Sequence, residues 1–212
     1  MRFLVTLLVS FLVHVHLFAQ QQRVVAECTI VYAMSLDSTS TDKTLADNLK
    51  SATKTIYIKG NNARTDLSSS AFVQSVFFDK TKGSAVILRE LGSNKFITKL
   101  DSTQWLQEKQ EFDSMVTTIT KDSKKILGYD CKKAELQLKN GKVYTVYFTP
   151  TLLASVREVD YEFKDIPGLV LAYQVASNDG KKVNYTAIKF NLSPVPASRF
   201  DVPTNGYRIL NK

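Results

Sequence analysis

Histidine is almost missing from this chain: two in 212 residues, at His14 and His16. Both fall in a leader read below as cleaved, so a mature protein starting at Gln20 has none. That excludes Ser-His-Asp and Cys-His catalysis, and histidine-ligated zinc, copper or haem. Cysteine is equally scarce, with Cys28 and Cys131 alone. Two thiols in an oxidising compartment fit either a disulfide or a pair of buried thiols, and both readings stay open. A reactive thiol needs a histidine or a helix N-terminus to hold it as thiolate, and the stretch "ILGYDCKKAEL" supplies neither. Lys132 should face away from Cys131 by strand alternation, and Lys133 should share its face. No calcium-loop spacing and no histidine or cysteine cluster is present, so no metal and no cofactor is expected.

A long apolar run is missing too. Phe3 to Phe18 is mostly apolar, follows Met1-Arg2, and ends at Ala19 before three glutamines. This is the pattern of a secretory signal cleaved after Ala19, leaving residues 20–212 as one domain. A membrane anchor is the competing reading, but spanning takes about 20 apolar residues and His14 and His16 interrupt the run. No cysteine follows directly, so no lipid anchor is expected and the chain should be exported, periplasmic or secreted. Without Arg2 there remain 27 basic and 20 acidic residues, a net +7. The lysines are scattered between strands, which reads as a solvated surface rather than an anion-binding tract. An exported chain without an arginine-rich face gives no reason to expect nucleic acid.

What is abundant is β-forming residues. "RVVAECTIVYAM" opens a series of short β-branched and aromatic runs at roughly 8–12-residue spacing, through "KVYTVYFT" and "KVNYTAIKFNL" to a closing "GYRIL". Asn140-Gly141 and Asp179-Gly180 are predicted as type I′ hairpin turns. Two segments predict helices. "TLADNLKSA" places Leu45 and Leu49 four apart. "LDSTQWLQEKQEF" has Asp101 as cap with Gln104 three residues on, and Trp105, Leu106 and Phe112 on one apolar stripe. The carboxylates Asp160, Glu162 and Asp165, and Glu108 and Glu111, could serve a hydrolase, but nothing in their spacing makes them converge, and they read as solvated surface. Asn184 begins a glycosylation sequon, and Asn191 a poorer one before Pro194, relevant in a eukaryotic host.

Five stretches carry a resemblance: "TIYIKGNNARTDL", "KKILGYDCKKAEL", "VYTVYFTPTL", "IPGLVLAYQV" and "FDVPTNGYRI". With their Gly-Tyr-x-Cys-Lys-Lys-Ala, Pro-Gly-Leu and Phe-x-x-Pro-x-x-Tyr motifs they resemble uncharacterised secreted domains of Gram-negative bacteria, and are similar to GLPGLI-type proteins. Tyr147-Phe148-Thr149 stands where relatives tend to carry a tryptophan-tyrosine pair. Such domains look like members of the LolA/LolB-like lipoprotein-carrier superfamily. The resemblance implies a mainly β, α+β fold: a single curved antiparallel sheet, or unclosed β-barrel, with short helices on its concave face. It also implies a monomer holding a lipid, lipoprotein or apolar peptide, without catalysis, in an apolar and chemically inert hollow. Candidate lining residues are Ile56, Ile58, Phe77, Val86, Leu88, Phe96, Tyr144, Val146, Phe148, Leu169, Leu171 and Tyr185. The alternative is an envelope assembly module with a self-filled core and a protein partner. A carboxylate-dependent enzyme is the third reading.

Overall fold

A computed structural model describes residues 22–38, 41–176, 180–203 and 205–210; the expected leader and Asp179 lie outside these. Strands dominate. The chain runs β1 (Arg23–Val25), β2 (Glu27–Leu36), α1 (Lys43–Lys50), β3 (Thr53–Lys59), β4 (Asn62–Ser68), β5 (Val73–Asp79), β6 (Ser84–Leu91), β7 (Asn94–Leu100) and α2 (Ser102–Lys109). It continues through β8 (Val116–Ile126), β9 (Tyr129–Gln137), β10 (Val143–Thr149), β11 (Leu152–Ala154), β12 (Leu169–Ala176), β13 (Lys182–Asn191) and β14 (Arg208–Ile209). Single 3₁₀ turns fill several gaps, the longest at Glu158–Phe163.

Twelve strands form one sheet in the order β14-β7-β6-β5-β4-β3-β2-β13-β12-β10-β9-β8. All neighbours are antiparallel except β14, which lies parallel to β7. The two end strands do not pair, so the sheet is curved and unclosed, as the sequence predicts. A separate parallel pair, β1 with β11, is tied down where the Gln22 amide donates to the carbonyls of Pro150 and Pro167.

Alternation sets the faces. In β3, Lys54, Ile56 and Ile58 are buried on the inner face, and register places them beside Leu67, Thr65 and Ala63 of β4. Both predicted helices form and lie on that inner side. Asp42 caps α1 by accepting from the Leu45 amide, and Leu49 packs on Met34. Asp101 and Gln104 complete the expected capping box of α2. The predicted stripe of α2 holds only in part: Trp105 is buried against Phe78, whereas Leu106 is exposed.

Two sequence expectations need correction, and one open alternative is decided. Only Gly141, not Asn140, has positive φ, so this connection is not type I′. It is a longer loop closed by the Gly141 amide on the Leu138 carbonyl, with the Asn140 side chain accepting from Lys142 N. Second, Cys131 and Ala134 are both buried, a spacing strict alternation forbids. Strand β8 bulges between Ile119 and Ser123 opposite this point. Lys133 therefore turns away from Cys131, and its ammonium pairs with Glu135 at 2.9 Å and Asp122 at 3.4 Å. Of the two readings open for the thiols, the disulfide candidate Cys28–Cys131 does not form: both are free and fully buried. Burial pushes the Cys28 thiol up to about 12 and that of Cys131 up to about 11.

Candidate functional site

The inner face of the curved sheet holds two rows of side chains running across neighbouring strands. One row is Lys54, Leu67, Gln74, Arg89 and Phe96; the next is Ile56, Thr65, Val76, Ile87 and Thr98. Much of the first row faces residues from the far half of the sheet, including Tyr144, Tyr173 and Tyr185. Between them lies a pocket of about 550 Å³, roofed by Trp105 of α2 and by Asp160 and Glu162. Its size falls within the roughly 300–1,000 Å³ usual for small-molecule sites.

The centre of the site is the ammonium of Lys54, whose side chain is only 8% exposed. It donates to both carboxylate oxygens of Asp160, at 2.9 and 2.8 Å, and to the Tyr173 hydroxyl at 3.0 Å. Burial alone would depress this amine, but the charges of Asp160 and Glu162 outweigh it and hold Lys54 protonated above its ordinary range. Glu162 shifts the other way. Burial first, then the neighbouring Asp160 charge, raise its carboxyl above the usual value of 4.5. The walls are aromatic: Tyr173 stacks on Tyr185 at 4.4 Å and leans on Phe163 at 4.7 Å. The Tyr32 hydroxyl donates to the Val170 carbonyl at 2.7 Å, locking the base of this cluster.

Asp160 reaches the site through an irregular backbone. It sits inside the Glu158–Phe163 turns with φ −109° and ψ 67°, outside helical values. This break lets Val159, Tyr161 and Phe163 bury while Asp160 reaches Lys54 and Glu162 lines the pocket. Two buried polar atoms of residues that line the same pocket find no protein partner, the Thr65 hydroxyl and the Trp105 indole N–H.

The residues expected to line the hollow divide into groups. Tyr144 and Tyr185 do line the pocket. Ile56, Ile58 and Leu169 border a separate apolar cavity of about 50 Å³. Val146, Phe148 and Leu171 are buried in the main core, and Phe96 is half-buried on the inner face beside Arg89. Phe77, Val86 and Leu88 lie on the opposite, outer face, where Ile97, Val202 and Tyr207 cover them. Strands β5 and β6 are apolar on both faces, because the C-terminal segment returns over the outer side, so pattern alone could not choose the parity. The Tyr207 hydroxyl anchors that segment by donating to Glu90 at 2.5 Å.

The expected inert, apolar hollow is therefore not what forms. Its apolar part is filled by Val156, Val159, Phe163 and Ile166, and the open part is ringed by charges. Sequence reasoning missed Lys54 and Arg89, and it read Asp160 and Glu162 as solvated surface, whereas both line the pocket. A signal for the first existed: in "TKTIYIK" Lys54 has the parity of Ile56 and Ile58, an inward position. No local signal could have found Asp160, whose partner lies 106 residues away. Among the described residues no group of three or more metal-ligating side chains assembles.

A family model described as the N-glycanase peptide, N-terminal domain, matches residues 30–193. No curated protein matches the chain. Two crystal forms of PNGF-II align with TM-scores of 0.45 and 0.48 at 15% and 14% identity, covering 88% of this chain. The chain spans only 31% of the length of PNGF-II. The complex of MucA and MucB from Pseudomonas aeruginosa aligns at 0.41 and 9% identity, over 84% of this chain and 56% of that one. A LolA superfamily protein from Nitrosomonas europaea aligns at 0.30 and 10% identity, over 83% and 89%. Likenesses this distant carry no ligand or activity across. The family match contains four of the five stretches singled out from the sequence; "FDVPTNGYRI" lies beyond it.

Proposed function

Since the chain belongs to the N-glycanase peptide N-terminal domain family, a family of domains, we propose that it is a non-catalytic binding module. Its ligand is polar and is received on the concave side of the sheet. The observation that carries this reading is the pocket built on the buried Lys54–Asp160 pair, with Glu162 and the Tyr173–Tyr185 stack beside it. A charge buried at the floor of an open pocket is costly to maintain for packing alone, whereas it orients a polar ligand at once. Catalysis is disfavoured because both thiols are sealed in the core and the Lys54 amine is held protonated, which removes it as nucleophile or base.

An acyl chain fits less well. The one strongly apolar cavity described above, near 50 Å³, falls far below ligand size, and the rest of the apolar hollow is occupied by the chain's own side chains. That self-filled core also supports a second reading, in which the polar ligand is a segment of an envelope protein partner. On either reading the chain is exported after cleavage behind Ala19.

Trp105 is the single tryptophan of the chain and lines the pocket, so its emission reports occupancy. Titration with a panel of small polar metabolites and short peptides should give a saturable change for at least one class, and none for long-chain fatty acids. Saturable binding of fatty acids alone would refute the reading.

A further inference from the structure

The lining of the pocket holds more positive charge than the protein itself pairs. The Trp105 indole N–H, in a side chain 3% exposed, and the Thr65 hydroxyl, in one 9% exposed, have no protein partner. Buried polar groups are nearly always satisfied, so two orphans in residues that line one pocket are consistent with an external partner reached when these side chains shift. The indole can only donate, so that partner is an acceptor. Arg89 lies on the same inner face, one strand beyond Gln74, and spends its Nε–H on the Gln74 side-chain oxygen at 3.0 Å. The two terminal nitrogens of its guanidinium have no protein partner among the described residues. Lys109 rests over the Trp105 ring at 4.7 Å and Lys142 over the Tyr144 ring at 5.3 Å.

None of these three cations has a carboxylate within ion-pairing distance among the described residues. The acids lining the pocket form no ion pair with them, although Glu162 feels the charge of Lys109. Asp160 is committed to Lys54, Glu108 is not free, and Glu162 alone has no ion pair. Three unpaired cations and two unpartnered hydroxyl or N–H groups around one opening are the complement of a compact anion. A guanidinium fork with two lysine ammonium groups lining the same pocket suits a planar carboxylate or a phosphate.

We propose that the pocket lined by Arg89, Lys109 and Lys142 binds an oxyanion, a carboxylate or phosphate group, carried by the ligand. The inference rests on the binding-module reading above and specifies its ligand. It is tested on the full chain by calorimetry and Trp105 emission with three probes: citrate, inorganic phosphate and a hexaglutamate peptide. At least one probe should bind saturably, more weakly as salt rises. Arg89→Gln should weaken that probe at least tenfold without moving the thermal midpoint, and Lys109→Gln should weaken it as well. A response to citrate or phosphate assigns the anion to a small molecule, and one confined to hexaglutamate assigns it to an acidic protein segment. If Arg89→Gln fails to fold, Lys142→Gln takes its place with the same expected loss. No saturable response to any probe, or undiminished affinity in the variants, overturns the inference. A neutral polar ligand that shifts Trp105 while all three anions fail would sink the anion site and leave the binding module standing.

Discussion

At the scale of the residue, the molecule turns on an ammonium kept inside a sheet. Lys54 is tolerated there because Asp160 meets it with both oxygens and Tyr173 with a hydroxyl. Removing the acid strands the charge. Asp160→Asn should therefore lower stability by about 3–5 kcal/mol in urea titrations, whereas the double change Lys54→Met with Asp160→Leu should fold at near wild-type stability. Glu162 gives stability a pH dependence of definite sign. Its carboxyl is raised in the folded chain, so the folded state holds the proton more tightly than the unfolded one. Stability is then lost as pH rises from about 4.5, the ordinary value, through the raised folded value. Glu162→Gln should abolish that loss, so the variant gains on wild type across that interval in pH-resolved melts. Lys54 acts in the alkaline range: its contribution is complete below the ordinary amine value of 10.5 and is lost as pH climbs through the higher folded value. The two thiols should be silent to alkylating reagents at pH 8 while the chain is folded. On unfolding without reductant they should give two adducts by mass, since neither is bonded and both are fully buried.

At the scale of the element, two turns show how local chemistry fixes the sheet. The β8–β9 hairpin closes over Leu127-Gly128, with φ of 49° and 85°. Both residues are left-handed, the geometry of a type I′ turn, and a leucine there is strained. Leu127→Asn should raise stability by about 1 kcal/mol, read as a higher thermal midpoint. Gly168 is required for a different reason. A Cβ there would strike the Thr149 carbonyl oxygen and approach the Phe148 ring to 2.6 Å, and the rigid backbone of β10 cannot yield. Gly168→Ala should cost several times what a surface substitution does, visible as a lower urea midpoint. The glycine of the Pro-Gly-Leu motif is thus a close-approach position. Much at this scale was legible in the sequence. Strand series, both helices and the Asp101 cap follow from period and capping chemistry. Two features were not. The parity of β5 and β6 is hidden because Phe77-Phe78 and Ala85 to Leu88 offer apolar side chains to both faces. The bulge that turns Lys133 outward lies on β8, a strand whose exposed polar residues carry no pattern of burial.

At the scale of the whole molecule, a twelve-strand sheet curls without closing, and the chain uses its own segments to finish both sides. The C-terminal stretch covers Phe77 and Leu88 outside; the Glu158–Phe163 turns fill the apolar half of the hollow inside. What remains open is the charged half. The sequence made the curved sheet legible because strand spacing is a local property. It could not show a pocket whose floor is Lys54 and whose roof is Asp160 and Trp105, because those residues meet only when the sheet bends. The greasy part of the hollow is already full. Native mass spectrometry of the gently purified protein, followed by solvent extraction, measures this directly. The expected result is the bare polypeptide mass, or that mass with a water-soluble polar ligand, and no acyl chains in the extract. A stoichiometric acyl lipid recovered from repeated preparations would contradict it.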